Sequence, residues 1–435
     1  MFAQTLSDIL AKRGIHYGWV IVAVTCLVSI ATAGAMGLPG VFIAPLGQEF
    51  GWDTAQVSSA LALRLLIFGL MAPFAAALIE RYGVRTIVLT AVALVVSGLT
   101  LALGMSQLWH LVALWGVVVG VGTGLTALVL GAIVSTRWFT ARRGLVLGIL
   151  TASNATGQLI FLPLGAMLIE RAGWRAALAL PVACIAVAAL LVVLFMRDRP
   201  SDVGLRPYGE TGAAVAPPPA TGSLQAAIAR AFTVLGEVAG NPTFLVLFAT
   251  FFICGLSTNG LIQTHFIALG ADFGMPAVAA ASTLAMIGVF DFVGTIASGW
   301  LSDRYDNRKL LFWYYGLRGL SLLVLPSSTF TLYGLSLFAV FYGLDWIATV
   351  PPTVKLVAQN FGRERAGIVF GWVFTGHQLG AAAAAYGAGL TRTVYLTYLP
   401  AFYVAGGMCL VAAGLVMLAG GKPQPKAAGA QAQGA

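Results

Sequence analysis

Four ionisable residues, Arg64, Asp291, Arg318 and Asp345, stand inside long apolar runs. A charge at the centre of a bilayer costs about 2.5–3.5 kcal/mol on insertion scales, so each needs a partner or a water-filled path. Asp291 lies in Ile287-Gly288-Val289-Phe290-Asp291-Phe292-Val293-Gly294. A carboxyl group in that setting is suited to taking up and releasing a proton. It would equally serve as the structural partner of a base, and a buried pair alone says little about function. Arg64 lies in Leu61-Ala62-Leu63-Arg64-Leu65-Leu66. Its planar fork matches a carboxylate, so a substrate anion is one partner for it. A pair with a group on the eleventh apolar run, or snorkelling toward the outer interface, is the other reading. Arg318 and Asp345 fall at matching depths in neighbouring runs, which predicts an ion pair between them, although Asp345 could instead face a solvent path. Lys355, near a cytoplasmic end, is expected to snorkel.

Neutral polar groups form a second set. Asn154 and Gln158 are one helical turn apart, and Asn259, Gln263 and His265 share one side of another run. His377 sits in Phe374-Thr375-Gly376-His377-Gln378. Histidine can donate to a ligand or relay a proton. Each of these groups could also make only a hydrogen bond between packed helices. Trp52 and Tyr395, near run ends, read as interface belt.

The elements that must position these groups follow from the stretch 131–165. It passes from one apolar run through a basic turn, Arg137, Arg142 and Arg143, into a second run carrying Gly144, Gly148, Ala152, Ser153 and Gly157. A basic turn between apolar segments marks a cytoplasmic loop, and small residues at helical spacing let two backbones approach. The stretch recurs. Gly144-Leu-Val-Leu-Gly148 returns as Gly367-Ile-Val-Phe-Gly371, Glu80-Arg81-Tyr82 as Asp303-Arg304-Tyr305, and Glu49-Phe50-Gly51 as Asp272-Phe273-Gly274. All three pairs share an offset of 223 residues. Such repeats imply two homologous halves, and transporters hold ligands near mid-membrane where repeats meet. At the same offset His377 is the partner of Asn154, so both halves place a hydrogen-bonding group at one point. Ile287 is the partner of Arg64, so that charge belongs to one half alone.

The chain is 59% hydrophobic and 9% charged, where soluble proteins carry roughly 25% charged residues. This excludes a soluble globular class and predicts an all-α polytopic membrane protein. At about 20 apolar residues per span, twelve spans are expected: 17–43, 55–79, 85–105, 108–136, 144–169, 174–196, 242–269, 277–301, 308–327, 330–356, 366–390 and 396–420. The organisation predicted is a cytoplasmic N-terminus (1–16), a six-helix bundle (17–196), a cytoplasmic linker (197–240), a second bundle (241–421) and a cytoplasmic tail (422–435). The linker is flexible around Pro217-Pro218-Pro219, with an amphipathic helix over 224–237 lying on the membrane. The tail reads as disordered, and the first span as a retained helix and not a cleaved signal. Eighteen of the 24 Lys and Arg residues fall in segments that are cytoplasmic if the N-terminus is inside, against three outside. Both termini are therefore placed in the cytoplasm of a plasma (inner) membrane protein. The net charge of +9 reports topology, and no nucleic-acid partner is expected. The four cysteines, Cys26, Cys184, Cys254 and Cys409, lie in apolar runs without metal-ligand spacing.

Glu80-Arg81-Tyr82-Gly83-Val84-Arg85, and its second copy Asp303-Arg304-Tyr305 with Arg308 and Lys309, resemble the loop signature of the major facilitator superfamily, whose gating loops these would be. The resemblance covers about 17–420 and implies two pseudo-symmetric six-helix bundles around a cavity. His16-Tyr17-Gly18-Trp19, Trp138-Phe139 with Arg142-Arg143-Gly144, and the run from His265 through Asp272-Phe273-Gly274 to Asp291 are similar to the monocarboxylate porter branch. That resemblance places Asp291 on the acidic residue that proton-coupled carriers hold in the eighth span. It also implies that Arg318's span looks outward, which argues against a substrate role there. The chain departs from the branch at four points. Asn154 and Gln158 stand where glycine is usual, Thr295 where animal carriers have an arginine, and Gly37 where they have a lysine. A carboxylate substrate therefore needs another cation.

Together these features predict a secondary transporter, not an enzyme, with no cofactor and no metal. It would move a small organic acid anion with protons by alternating access, as a monomer. Arg64 would hold the carboxylate; Asn154, Gln158, Asn259 and His377 would supply hydrogen bonds; Asp291 and His377 would carry the proton. An exporter of hydrophobic compounds is the first rival, favoured by an aromatic-lined cavity without a carboxylate-holding cation. A non-transporting membrane sensor is the second, and the short linker leaves it little room for a folded extramembrane module.

Overall fold

In lipid every backbone polar group must be satisfied within the chain, which leaves helices as the way to span with single apolar segments. The computed structural model, which describes residues 2–126, 128–210 and 224–420, has no strand among those residues. Eleven helices there are long and apolar enough to cross a membrane. The expected count of twelve differs at one place. The fifth and sixth spans form a single element, Arg143–Phe195, broken only where Gly173 adopts φ 80° and ψ 169°. A residue without Cβ takes that conformation readily, so one glycine serves as the whole turn.

We label the spans α1 (Gly18–Gly37, continuing as Pro39–Phe50), α2 (Thr54–Tyr82), α3 (Val84–Ala102), α4 (Leu108–Trp138), α5 (143–172) and α6 (174–195). The second half holds α7 (Pro242–Asp272), α8 (Ala277–Ser302), α9 (Asn307–Val324), α10 (Ser336–Phe361), α11 (Arg363–Tyr395) and α12 (Leu399–Val416). Local chemistry sets several starts. Asp53 and Gln56 form a reciprocal capping box for α2. Asn241 caps α7, with Pro242 at its first position. The carboxylate of Asp198 accepts from the Arg85 backbone N–H at 2.8 Å, so the segment just after α6 caps the start of α3.

Glycines decide how the spans cross. Gly157 of α5 backs onto the Ile30 carbonyl of α1, and Gly380 of α11 backs onto the Phe252 carbonyl of α7. Positions 157 and 380 are 223 apart, so equivalent glycines make equivalent crossings in the two halves. The halves meet chiefly along α2 and α11. The hydroxyl of Thr375 donates to the Gly69 carbonyl at 3.1 Å, and the Ala55 N–H donates to Thr393 Oγ1 at 3.1 Å. Gly69 leaves room for Gln378, whose Cβ would collide with any side chain there.

The linker helix spans Leu224–Val238. Its apolar face does not rest on a membrane surface alone. Ala231, Val234 and Val238 are buried, Phe232 meets Phe74 of α2 and Trp372 of α11, and Trp372 Nε1 donates to the Ala231 carbonyl at 3.0 Å. The polar lead also contains a helix, Phe2–Ala11, that the charge pattern did not suggest. The segment around Pro217-Pro218-Pro219 and the tail after Gly421 lie outside the described residues.

Candidate functional site

Two interruptions in the helices organise the buried polar groups. The first is in α10. Residues 346–349 leave the helix between Ser336–Asp345 and Val350–Phe361. Pro351 and Pro352 explain this, since neither has an N–H to give the carbonyl four residues earlier. Unsatisfied backbone groups in lipid are costly, and three side chains from α8 and α9 satisfy these. Arg318 donates to the carbonyls of Asp345 (2.6 Å) and Trp346 (3.1 Å). Ser298 Oγ donates to the Ala348 carbonyl at 2.5 Å. Asp291 Oδ1 accepts from the Ile347 N–H at 2.9 Å.

Arg318 and Asp345 also meet directly. Arg318 Nε donates to Asp345 Oδ2 at 2.6 Å, with both side chains buried, and Arg318 Nη1 lies 2.9 Å from Cys254 Sγ. Arg318 is thus fully engaged inside the second half. Asp345 Oδ1 has no protein partner. Asp291, 3% exposed, also accepts from Thr295 Oγ1 at 3.0 Å. Both of its hydrogen bonds fall on Oδ1, and it makes no ion pair among the described residues.

The second interruption is in α1, where Pro39 lacks the N–H that Ala35 O would otherwise accept. Arg64 supplies it. Its Nη1 donates to the Ala35 carbonyl at 2.9 Å, and both Nη atoms approach the Met36 carbonyl at 3.4 Å. Arg64 is 4% exposed and its Nε has no protein partner. It neither pairs with α11 nor snorkels outward. Lys355 reaches the Ser302 carbonyl at 2.7 Å and Asp303 at 2.9 Å. Of Arg64, Arg318 and Lys355, Arg64 alone lacks a carboxylate partner among the described residues.

The neutral groups divide. The side chains of Asn154 and Gln158 lie outside the described residues. Asn259 is half-buried in a π-helical stretch of α7, Leu256–Gln263. His265 is buried, with Nε2 2.7 Å from the Ala385 carbonyl of α11. His377 is sandwiched by Phe251 and Phe374, and its Nδ1 is buried without a protein partner. His265 and His377 thus lie where α7 meets α11. Gln378 was not singled out from the sequence. It is 1% exposed, its Oε1 has no partner, and it faces α2 across the junction of the halves. Amide Gln beside His was a weak signal; the glycine opposite it, Gly69, is visible only once α2 and α11 are paired. A cavity of about 140 Å³ also lies between the halves, lined by Gly40 and Gln48 of α1, Glu170 of α5, Ile267 and Ala271 of α7 and Ala277.

The loop motifs are charged and exposed. Asp303 is held below the usual carboxylate range by its hydrogen bond with Lys355, and Asp306 by its bond with Arg308. Arg304 lies over the Trp300 ring at 4.0 Å, and Arg85 Nη2 donates to the Val193 carbonyl. Arg81 is exposed, and the Glu80 side chain lies outside the described residues. His16, Tyr17, Trp19 and Phe139 gather against the start of the linker. Tyr17 Oη donates to the Phe195 carbonyl at 2.7 Å, His16 Nε2 is 2.8 Å from the Arg206 carbonyl, and Trp19 packs on Phe139 and Tyr208.

Comparison with known proteins agrees with this architecture. The sequence profile described as Major Facilitator Superfamily matches residues 25–385. The chain is 25% identical over 359 residues to the uncharacterized MFS-type transporter YcxA of Bacillus subtilis, covering 80% of this chain and 82% of that one. It is 27% identical over 404 residues to monocarboxylate transporter 13 of Rattus norvegicus, covering 92% and 88%. It is also 27% identical over 416 residues to monocarboxylate transporter 3 of the same species, covering 91% and 78%.

Proposed function

The chain belongs to the major facilitator superfamily, a family of transporters, and on that premise we propose that it moves a small organic acid anion of the monocarboxylate type together with protons, by alternating access. The observation that carries this reading is a pair of uncompensated buried charges. Arg64 in the first half and Asp291 in the second each lack an oppositely charged partner among the described residues. An organic carboxylate complements the first and a proton neutralises the second. Together they would discharge both halves at one point in the cycle. Relatives named as monocarboxylate transporters support the substrate class.

Reaching Arg64 requires α1 and α2 to part at Ala35 and Met36, a movement that rocking of helices supplies. An anion alone faces about 2.3 kcal/mol per 100 mV when entering a negative-inside cell, which a co-transported proton offsets. Gln378 supplies a further hydrogen-bonding group at the junction of α2 and α11, and His377 Nδ1 supplies one on the α7 side of α11. A plasma-membrane location with both termini in the cytoplasm follows the charge bias of the loops.

The test is uptake of a labelled monocarboxylate panel into proteoliposomes, with and without an inward proton gradient, for wild type and Asp291→Asn. Asn keeps an acceptor oxygen for Thr295 and Ile347 but cannot carry a proton. Gradient-driven uptake in wild type, lost in the variant with exchange retained, supports the reading. A wild type indifferent to every acid in the panel refutes the substrate class.

A further inference from the structure

Beside Arg64 is a small cavity of about 10 Å³. Its lining includes Pro39 and Phe42 of α1, Leu99 of α3, Trp115 of α4 and Leu178 of α6, and no residue of the second half. Two buried N–H donors belong to residues on its wall, Arg64 Nε and Trp115 Nε1, and neither has a protein acceptor. No carboxylate of the described residues pairs with the guanidinium. Leaving a buried donor unsatisfied is costly, and more so for a charged group. The size of the void selects what satisfies them. It holds about one water-sized body, so a monatomic ligand fits and a carboxylate with three heavy atoms does not.

We propose that this chamber is a binding site for a single halide ion, held by Arg64 Nε and Trp115 Nε1 within the first half. The positive charge distinguishes an anion from water as occupant, because water satisfies the donors but leaves the guanidinium unneutralised in a low-dielectric surround. The site is separate from the junction of the halves. It would keep Arg64 neutralised in the conformation where α1 and α2 are closed over it. The halide needs no organic substrate to bind, so its test stands apart from the uptake assay.

Purified full-length protein in detergent is unfolded thermally across a chloride series, with methanesulfonate keeping ionic strength constant. A ligand that binds only the folded state raises the midpoint saturably. Chloride and bromide are expected to do so and methanesulfonate is not. Trp115→Phe keeps the ring and removes the N–H, and it should weaken apparent chloride affinity roughly tenfold, the loss of one hydrogen bond to a charge. Arg64→Met should abolish the effect, and the phenylalanine variant keeps the test open if the methionine variant does not fold. A bromide-soaked crystal should give an anomalous peak beside both nitrogens. If chloride and methanesulfonate give the same midpoint in wild type, the chamber holds water and the proposal fails. If chloride stabilises the protein and every organic acid is ignored, the halide site stands and the carboxylate reading falls.

Discussion

Removing Asp345 and Arg318 singly and together measures what holds α10 at its break. Asp345→Ala strands a buried guanidinium, and breaking a buried pair by removing one partner costs about 3–5 kcal/mol. Arg318→Met strands the Asp345 carboxylate at a similar cost. It also orphans the carbonyls of Asp345 and Trp346, to which Arg318 Nη2 donates, and each orphan adds about 1–3 kcal/mol. The arginine variant should therefore be the least stable. The double variant removes both charges and keeps only the orphaned carbonyls, so it should be about 3–5 kcal/mol more stable than Arg318→Met alone. The assay is reversible unfolding of purified protein in mixed micelles, read by tryptophan fluorescence. If the double variant loses the sum of the two single losses, the residues do not act as a pair and the account of α10 fails.

Gly294→Ala should destabilise by about 1–3 kcal/mol, because a Cβ there meets the Leu344 carbonyl where α8 crosses α10; the same unfolding assay reads it. Glu49 is held below the usual carboxylate range by hydrogen bonds from Arg175 and then Trp174. A depressed carboxyl stabilises above its unfolded value, about 4.3, and that contribution disappears as pH falls through the depressed folded value. Glu49→Gln should flatten the acid limb of the stability profile, and an unchanged limb would exclude this pair as its source. Trp372→Ala removes the ring that Phe74 and Phe232 pack on and the hydrogen bond to Ala231. It should raise the rate of protease cleavage within the linker helix, measured by timed digestion in vesicles.

The spans, the repeat and the loop chemistry were legible because each rests on periodicity or on local strings. Hydropathy located α2 within a few residues, and Gly157 and Gly380, which share the 223-residue offset, make matching crossings in the structure. The depth argument brought Arg318 to Asp345. Other features depend on which faces meet. Besides a substrate carboxylate, the reading of Arg64 offered α11 or the outer interface as its partner, and the guanidinium turned to backbone carbonyls of α1, which residue types name only indirectly. Symmetry singled out His377, and only the fold shows that its ring packs against Phe251 and Phe374 with Nδ1 left without a protein partner. Gln378 went unnoticed because its significance lies in the glycine across the junction.

A proline signal in the sequence would have recovered part of this. Pro39 frees the Ala35 carbonyl, and Pro352 frees that of Ala348. In lipid such a carbonyl must find a donor. Arg64 meets the first and Ser298 the second, while Arg318 holds the carbonyls of Asp345 and Trp346 where the α10 break begins. The two arginines thus share a structural task, bridging a bent span, and differ in what remains. Arg318 has Asp345, so its charge is spent within the fold. Arg64 has only carbonyls, so its charge is still available to a ligand. A buried base whose hydrogen bonds are partly explained by backbone repair is not thereby explained as a charge, and the residual charge is what a transported or resident anion would recognise. Pro39→Ala separates the two tasks: it returns an N–H to Ala35 and relieves Arg64 of the repair, and because Pro39 also lines the chamber beside Arg64, the readout is binding of the organic acid, which should be retained while the bend of α1 alters. Loss of anion binding in that variant, with folding unchanged, would show that the repair geometry is what aims the guanidinium.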